Sequence, residues 1–185
     1  MRGLYRRIDP DMQPYMRDMR KFEVMSPEQE RANAKQIADL EDDLWKKILK
    51  KSGMAGFVAD LISRRFGSGP LRETAEKTAF LLGPLGGEKA IEKAVRRLRQ
   101  MDSDREIVKK ARDETIRRNG HKRGNSKEIM EISKRIDRSK HRFIQANLGL
   151  VVAIARRYES PHMSLSDRVQ EGNIGLMKAM DRFDY

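Results

Sequence analysis

Apolar residues in this chain recur every three or four positions rather than every two, and that period constrains the fold more than any other feature. Ile37, Leu40, Leu44 and Ile48 follow it, with Trp45 beside them. So do Ala90, Ile91, Ala94, Val95, Leu98 and Met101. An apolar stripe at this spacing lies along one face of a helix, whereas a half-buried strand alternates. The 185 residues include only 6 Pro, so long helices are permitted over most of the length. The expectation is an all-α protein.

Local signals place the helices. Pro14 suits the first turn of a short helix carrying Tyr15, Met16, Met19 and Phe22. Ser26-Pro27-Glu28-Gln29 reads as a capping box: Ser26 caps, Pro27 sits where no amide donor is needed, and Gln29 reaches back. That helix is expected to end near Ser52-Gly53. Gly67-Ser68-Gly69-Pro70 and Gly83-Pro84-Leu85-Gly86-Gly87 are turns with short helices between them. A further helix is expected from Asp104 to about Arg118. The polar segment 119–125 interrupts the pattern before a long helix to about Tyr158, closed by Pro161. Ser164 or Ser166 then caps a last helix from Leu165 to Phe183. These breaks divide the chain into an upstream segment, 1–52, with a basic arm and capped helices; a variable helical insertion, 53–125; and a last part, 126–185.

Forty Lys and Arg against 28 Asp and Glu give a net charge of +12. Such a charge attracts polyanions without sequence preference, and it equally describes a merely solvated basic surface. There is no cysteine, hence no disulfide frame and no thiolate metal site, as expected of a cytoplasmic protein. No apolar run is long enough to span a bilayer, and the N-terminus lacks the apolar core of a signal peptide. His121, His141 and His162 are scattered without ligand spacing, and no Gly-rich phosphate loop ends in Lys-Ser or Lys-Thr. Glu41-Asp42-Asp43 reads as part of a solvated helix face. No catalytic site, metal site or cofactor is expected.

The last two helices divide differently. Between Lys140 and Tyr158, Phe143, Ile144, Leu148, Leu150, Val151, Val152, Ile154, Ala155 and Tyr158 cover most of the circumference, so this helix is expected to be enclosed by neighbours. In the following helix Leu165, Val169, Gly172, Leu176, Ala179, Met180 and Phe183 form one stripe, with Gly172 allowing close approach of another helix. The opposite face presents Asp167, Gln170, Glu171, Ile174, Met177, Lys178 and Asp181, with Asn173 at its edge. Three acids against one base make it locally negative on a basic chain, and Ile174 and Met177 stand among the polar groups. The face reads as a docking surface for a basic partner helix, as a solvated face, or as one buried under another segment.

The run Ala146-Asn147-Leu148-Gly149-Leu150-Val151-Val152-Ala153-Ile154-Ala155-Arg156-Arg157-Tyr158 resembles the core helix of the bacterial sigma-70 family. The run Gln170-Glu171-Gly172-Asn173-Ile174-Gly175-Leu176-Met177-Lys178-Ala179 is similar to that family's polymerase-docking signature, at the expected distance. A looser likeness covers Asp9-Pro10 through Trp45. The resemblance, to housekeeping-type members, implies a transcription initiation factor whose helical domain binds the clamp coiled coil of RNA polymerase core. The positions it implies for that contact are Asp167, Gln170, Glu171, Asn173 and Met177, to which the wheel adds Ile174 as an apolar anchor. It also implies promoter DNA contact just downstream of the −10 element by Tyr15, Met16 and Arg17.

The sequence departs from the family pattern at Gly149, at Ser166 and Arg168, and around Pro14. The family continues beyond the position of Tyr185 into an aromatic, basic helix that captures the −10 DNA. The given chain stops before it, and its one Trp is Trp45. Stacking of unpaired bases needs aromatic platforms, so this chain alone is not expected to open promoters. Two alternatives stand beside the leading reading: a non-specific basic DNA-binding protein, and a natural truncated decoy that competes for the polymerase clamp.

Overall fold

The computed structural model describes residues 12–83, 87–118, 123–158 and 162–182. Among them are eight helices and no strand: α1 Gln13–Met19, α2 Pro27–Leu49, α3 Met54–Phe66, α4 Arg72–Leu81, α5 Glu88–Met101, α6 Glu106–Arg118, α7 Arg123–Arg157 and α8 Leu165–Arg182. Residues 1–11 of the expected basic arm (1–13), Pro84–Gly86 within the second turn, residues 119–122 and the closing Pro161 lie outside the described residues, while Met12 is buried and Gln13 opens α1.

The caps follow the side-chain chemistry. At α2 the Ser26 backbone N–H donates to Gln29 Oε1 at 2.9 Å, and the Gln29 N–H donates to Ser26 Oγ at 3.3 Å. That reciprocal pair satisfies donors the helix start leaves without partners. At α8 it is Ser164 that caps. Its hydroxyl accepts from the Asp167 N–H at 3.1 Å and donates to the Asp167 carboxylate at 2.7 Å. Gly53, at φ 72°, makes the left-handed turn into α3 that favours glycine.

The chain forms two compact units, each assembled from segments far apart in sequence: residues 1–34 with 139–181, and residues 35–138 with 182–185. Both α2 and α7 contribute to each. The 35–138 unit is built around Trp45, Leu44 and Ile48 of α2, Val58 and Ile62 of α3, Leu98 of α5, Ala111 of α6 and Ile129 and Ile132 of α7, all buried. Within it α3 packs on α4 and α6, and α4 on α5.

One acidic run behaves differently from its sequence reading. Glu41 is not on a solvated face: it is buried, with 7% of its surface exposed. Its carboxylate lies 2.9 Å from the Arg105 guanidinium and 3.8 Å from that of Arg99, which also reaches Asp42 at 3.1 Å. The acid is tolerated inside because two cations share it, and those come from sequence positions some 60 residues away. Beside them the Asp102 carboxylate accepts the Ile107 and Val108 N–H groups at 2.8 Å each, capping α6. Burial pushes the Asp102 carboxyl up, against the opposing pull of those two backbone donors.

The other unit contains a smaller core. Met12, Val151, Val152, Ala155 and Val169 are buried, with Tyr15, Met16, Met19, Leu165 and Leu176 packed against them. The sequence expectation for its main helix is only half met. Val151, Val152 and Ala155 are covered by α1 and α8, but Leu150, Ile154 and Tyr158 are 56%, 44% and 72% exposed. Two neighbouring helices cannot cover a circumference that is apolar on most sides, so one flank of α7 remains bare among the described residues. On α8, Val169 and Met180 are buried as expected of the stripe, whereas Ala179 is exposed. Phe183 lies outside the described residues.

Candidate docking surface on the last helix

The orientation of α8 is fixed by its apolar stripe. Val169 and Leu176 are drawn into the core against α7, and Gly172 lets the two helices meet at close range. A Cβ placed on Gly172 would lie 2.6 Å from Val151 Cγ1, closer than side chains pack. With the stripe turned inward, the other side of the helix must face out.

That side is open. Asp167, Gln170, Glu171, Ile174 and Met177 are all exposed, and Asn173 is half-buried at the edge. Ile174 and Met177 keep 40% and 47% of their surface accessible. Apart from the Asp167 capping contact, neither Asp167 nor Glu171 is held in an ion pair among the described residues. The result is an acidic, hydrogen-bonding surface with two apolar side chains at its centre and Lys178 at one border. The Asp181 side chain lies outside the described part of this face. Chemically, such a surface is suited to binding rather than to catalysis: apolar anchors gain from exclusion of water, and carboxylates favour a cationic rim.

The residues expected to touch DNA sit differently from one another. Arg17 is exposed, but Tyr15 and Met16 are half-buried against the core of their unit. The Tyr15 hydroxyl donates to Asn173 Oδ1 at 3.3 Å. The structure thus joins one residue from each predicted site, and the bond between them ties α1 to α8. Sequence reasoning missed that contact because it bridges 158 positions and carries no local pattern.

It also missed a groove of about 510 Å³ on the bare flank of α7. Val151, Ile154, Tyr158 and Met163 line it, with Arg168 and Glu171 at its edge. The spacing Leu150, Ile154, Tyr158 is a visible signal for an apolar strip, but a period alone does not say whether a strip is covered. Among the described residues no group of three His, Cys, Asp or Glu side chains could hold a metal ion, and no helix is long and apolar enough to cross a membrane.

Part of the chain is similar to known proteins. Residues 143–185 match the family Sigma-70 region 2. The chain is 49% identical over 63 residues to the RNA polymerase sigma factor RpoD of Helicobacter pylori, a match covering 32% of this chain and 9% of that protein. It is 47% identical over 58 residues to the RNA polymerase principal sigma factor HrdD of Streptomyces coelicolor, covering 31% and 18%. With HrdD of Streptomyces griseus it is 53% identical over 49 residues, covering 26% and 15%. The chain therefore spans less than a fifth of the length of these curated relatives, and the whole of α8 falls inside the family match.

Proposed function

We propose that this chain, a sigma-70 family sequence through its region 2, is the polymerase-docking part of a transcription initiation factor. The observation that carries the reading is the outward face of α8, where Ile174 and Met177 stay accessible beside the exposed carboxylates of Asp167 and Glu171. Its partner is the clamp coiled coil of RNA polymerase core. In this arrangement Ile174 and Met177 are the desolvated anchors, Asp167 and Glu171 complement a basic coiled coil, and Gln170 supplies a directional hydrogen bond. Asn173 accepts from Tyr15 and so holds the edge of the face in place.

The same reading gives the upstream helix α1 a divided role. Arg17, exposed, is the residue of that set free to meet promoter phosphates. Tyr15 and Met16 act by seating α1 on α7 and α8.

Ile174→Asp is the direct test. A charge placed where an anchor is desolvated should weaken binding to core polymerase by about 2 kcal/mol or more, roughly 30-fold in Kd. Ala179→Asp adds the same charge to the same helix at an exposed position off this face. It should leave Kd within about twofold, as surface substitutions away from a contact do. Titration of labelled chain with core polymerase reads both. Equal losses, or no loss from either, would contradict the docking face.

A further inference from the structure

The basic character of this chain is concentrated in the 35–138 unit. Residues 35–138 hold 26 of the 40 Lys and Arg and 17 of the 28 Asp and Glu, nine of the twelve net positive charges. Within that unit most acids are already used. Glu88 and Glu92 of α5 meet Lys50 and Lys46 of α2, at 3.1 and 3.4 Å. Glu128 meets Lys47, Asp104 meets Arg65, and Glu114 meets both Arg117 and Arg118. The cations left over are not spread evenly.

Four of them lie within nine residues of α5: Lys89, Lys93, Arg96 and Arg97, none in an ion pair among the described residues. Ala94, Val95, Leu98 and Met101 turn the opposite side of this helix into the core. Lys89, Lys93 and Arg96 then fall within about 60° of one another on the outward side, at steps of about 6 and 4.5 Å along the axis. All three are exposed. The two acids of the helix, Glu88 and Glu92, are paired to α2 and not to the strip.

What is missing from the strip identifies its partner. No large apolar side chain is exposed on α5, whereas Ile174 and Met177 are exposed on α8. A protein interface needs desolvated apolar or aromatic anchors at its centre, and this strip has none. Single-stranded nucleic acid is held by aromatic platforms, also lacking here. A row of lysine and arginine heads without anchors fits a surface of closely spaced negative charge that needs no desolvated contact. We propose that the outward strip Lys89, Lys93, Arg96 of α5, flanked by Arg97, binds the phosphate backbone of duplex DNA without reading its sequence. This site is separate from the polymerase-docking face and does not depend on it.

Binding of the 185-residue chain to a fluorescent duplex, without polymerase, tests it. The triple variant Lys89→Gln, Lys93→Gln, Arg96→Gln is compared with Lys35→Gln, Lys110→Gln, Lys134→Gln. The second triple removes the same charge from scattered exposed positions of the same unit that are likewise unpaired among the described residues. If the strip neutralises three phosphates, its loss should make the plot of log affinity against log salt shallower by about 2 to 3, between about 50 and 200 mM salt. Affinity at the lower salt should fall about tenfold or more, while the scattered triple changes the slope by less than about 1. Equal weakening by both triples would reduce the effect to net charge and overturn the proposal. So would wild-type affinity in the α5 triple, or absence of duplex binding by the wild-type chain at about 50 mM salt, which would leave the strip to an acidic protein.

Discussion

Glu41→Ala is expected to destabilise the 35–138 unit by about 3 kcal/mol, because it leaves a buried guanidinium without its counter-charge. Arg105 is buried, and its guanidinium lies 2.9 Å from the Glu41 carboxylate. It also takes φ 60°, a left-handed conformation that a residue with a side chain adopts only when its surroundings impose it. The ion pair to α2 and the Arg105 N–H bond to the Asp102 carbonyl both hold that residue. Arg99 keeps Asp42 as a partner after the substitution, and Asp102 stays near Arg105, so the loss sits at the lower end for a broken buried pair. Urea unfolding followed by far-UV circular dichroism checks it: the midpoint should fall by about 1 M with little change in slope. Glu41→Gln keeps the shape and a hydrogen-bonding group, and should lose roughly half as much. A midpoint unchanged in Glu41→Ala would show that the two arginines are solvated rather than held.

The second large effect concerns the contact that orients α8. Because a Cβ on Gly172 would meet Val151 Cγ1 at 2.6 Å, Gly172→Leu should destabilise its unit by about 3 kcal/mol through overpacking. Gly172→Ala is the more informative variant. Alanine gains about 1 kcal/mol of helix propensity over glycine, and the steric conflict should outweigh that gain, leaving a net loss of about 1 kcal/mol. Val151 is β-branched and buried, so its methyl cannot simply swing aside. Val151→Ala opens the space. In a double-mutant cycle the pair should therefore couple favourably by about 1 kcal/mol. Strict additivity would mean that the helices separate on substitution and that Gly172 does not set their distance.

These two contacts show where the sequence is readable and where it is not. The capping box at Ser26-Gln29, a serine cap before α8, the stripe of α5 and the inward turn of Gly172 are local patterns. Each is set by residues a few positions apart, and each is found in the structure. The wheel also sets Ile174 and Met177 opposite that stripe, but that this face is open comes from the fold and not from the period. Glu41 and Tyr15 are different. An acid in the run Glu41-Asp42-Asp43 looks solvated until arginines 58 and 64 positions later are folded against it. Tyr15 looks available until Asn173 accepts its hydroxyl. Period and composition carry no information about such pairings. The bare flank of α7 has the same origin: a helix apolar on most sides announces that it can be covered, not what covers it.

The outward face of α8 is expected to meet another protein, and the lack of cysteine in this chain permits a direct measurement. Met177→Cys should be alkylated rapidly in the free chain, since Met177 is exposed. Saturating core polymerase should slow that labelling about tenfold or more, as burial at an interface centre excludes reagent along with water. Phe80→Cys, 85% exposed on α4, provides the reference rate in the same samples. Protection of Met177→Cys relative to that reference is the predicted result. Labelling at the free rate with polymerase bound would place the attachment elsewhere and contradict the account.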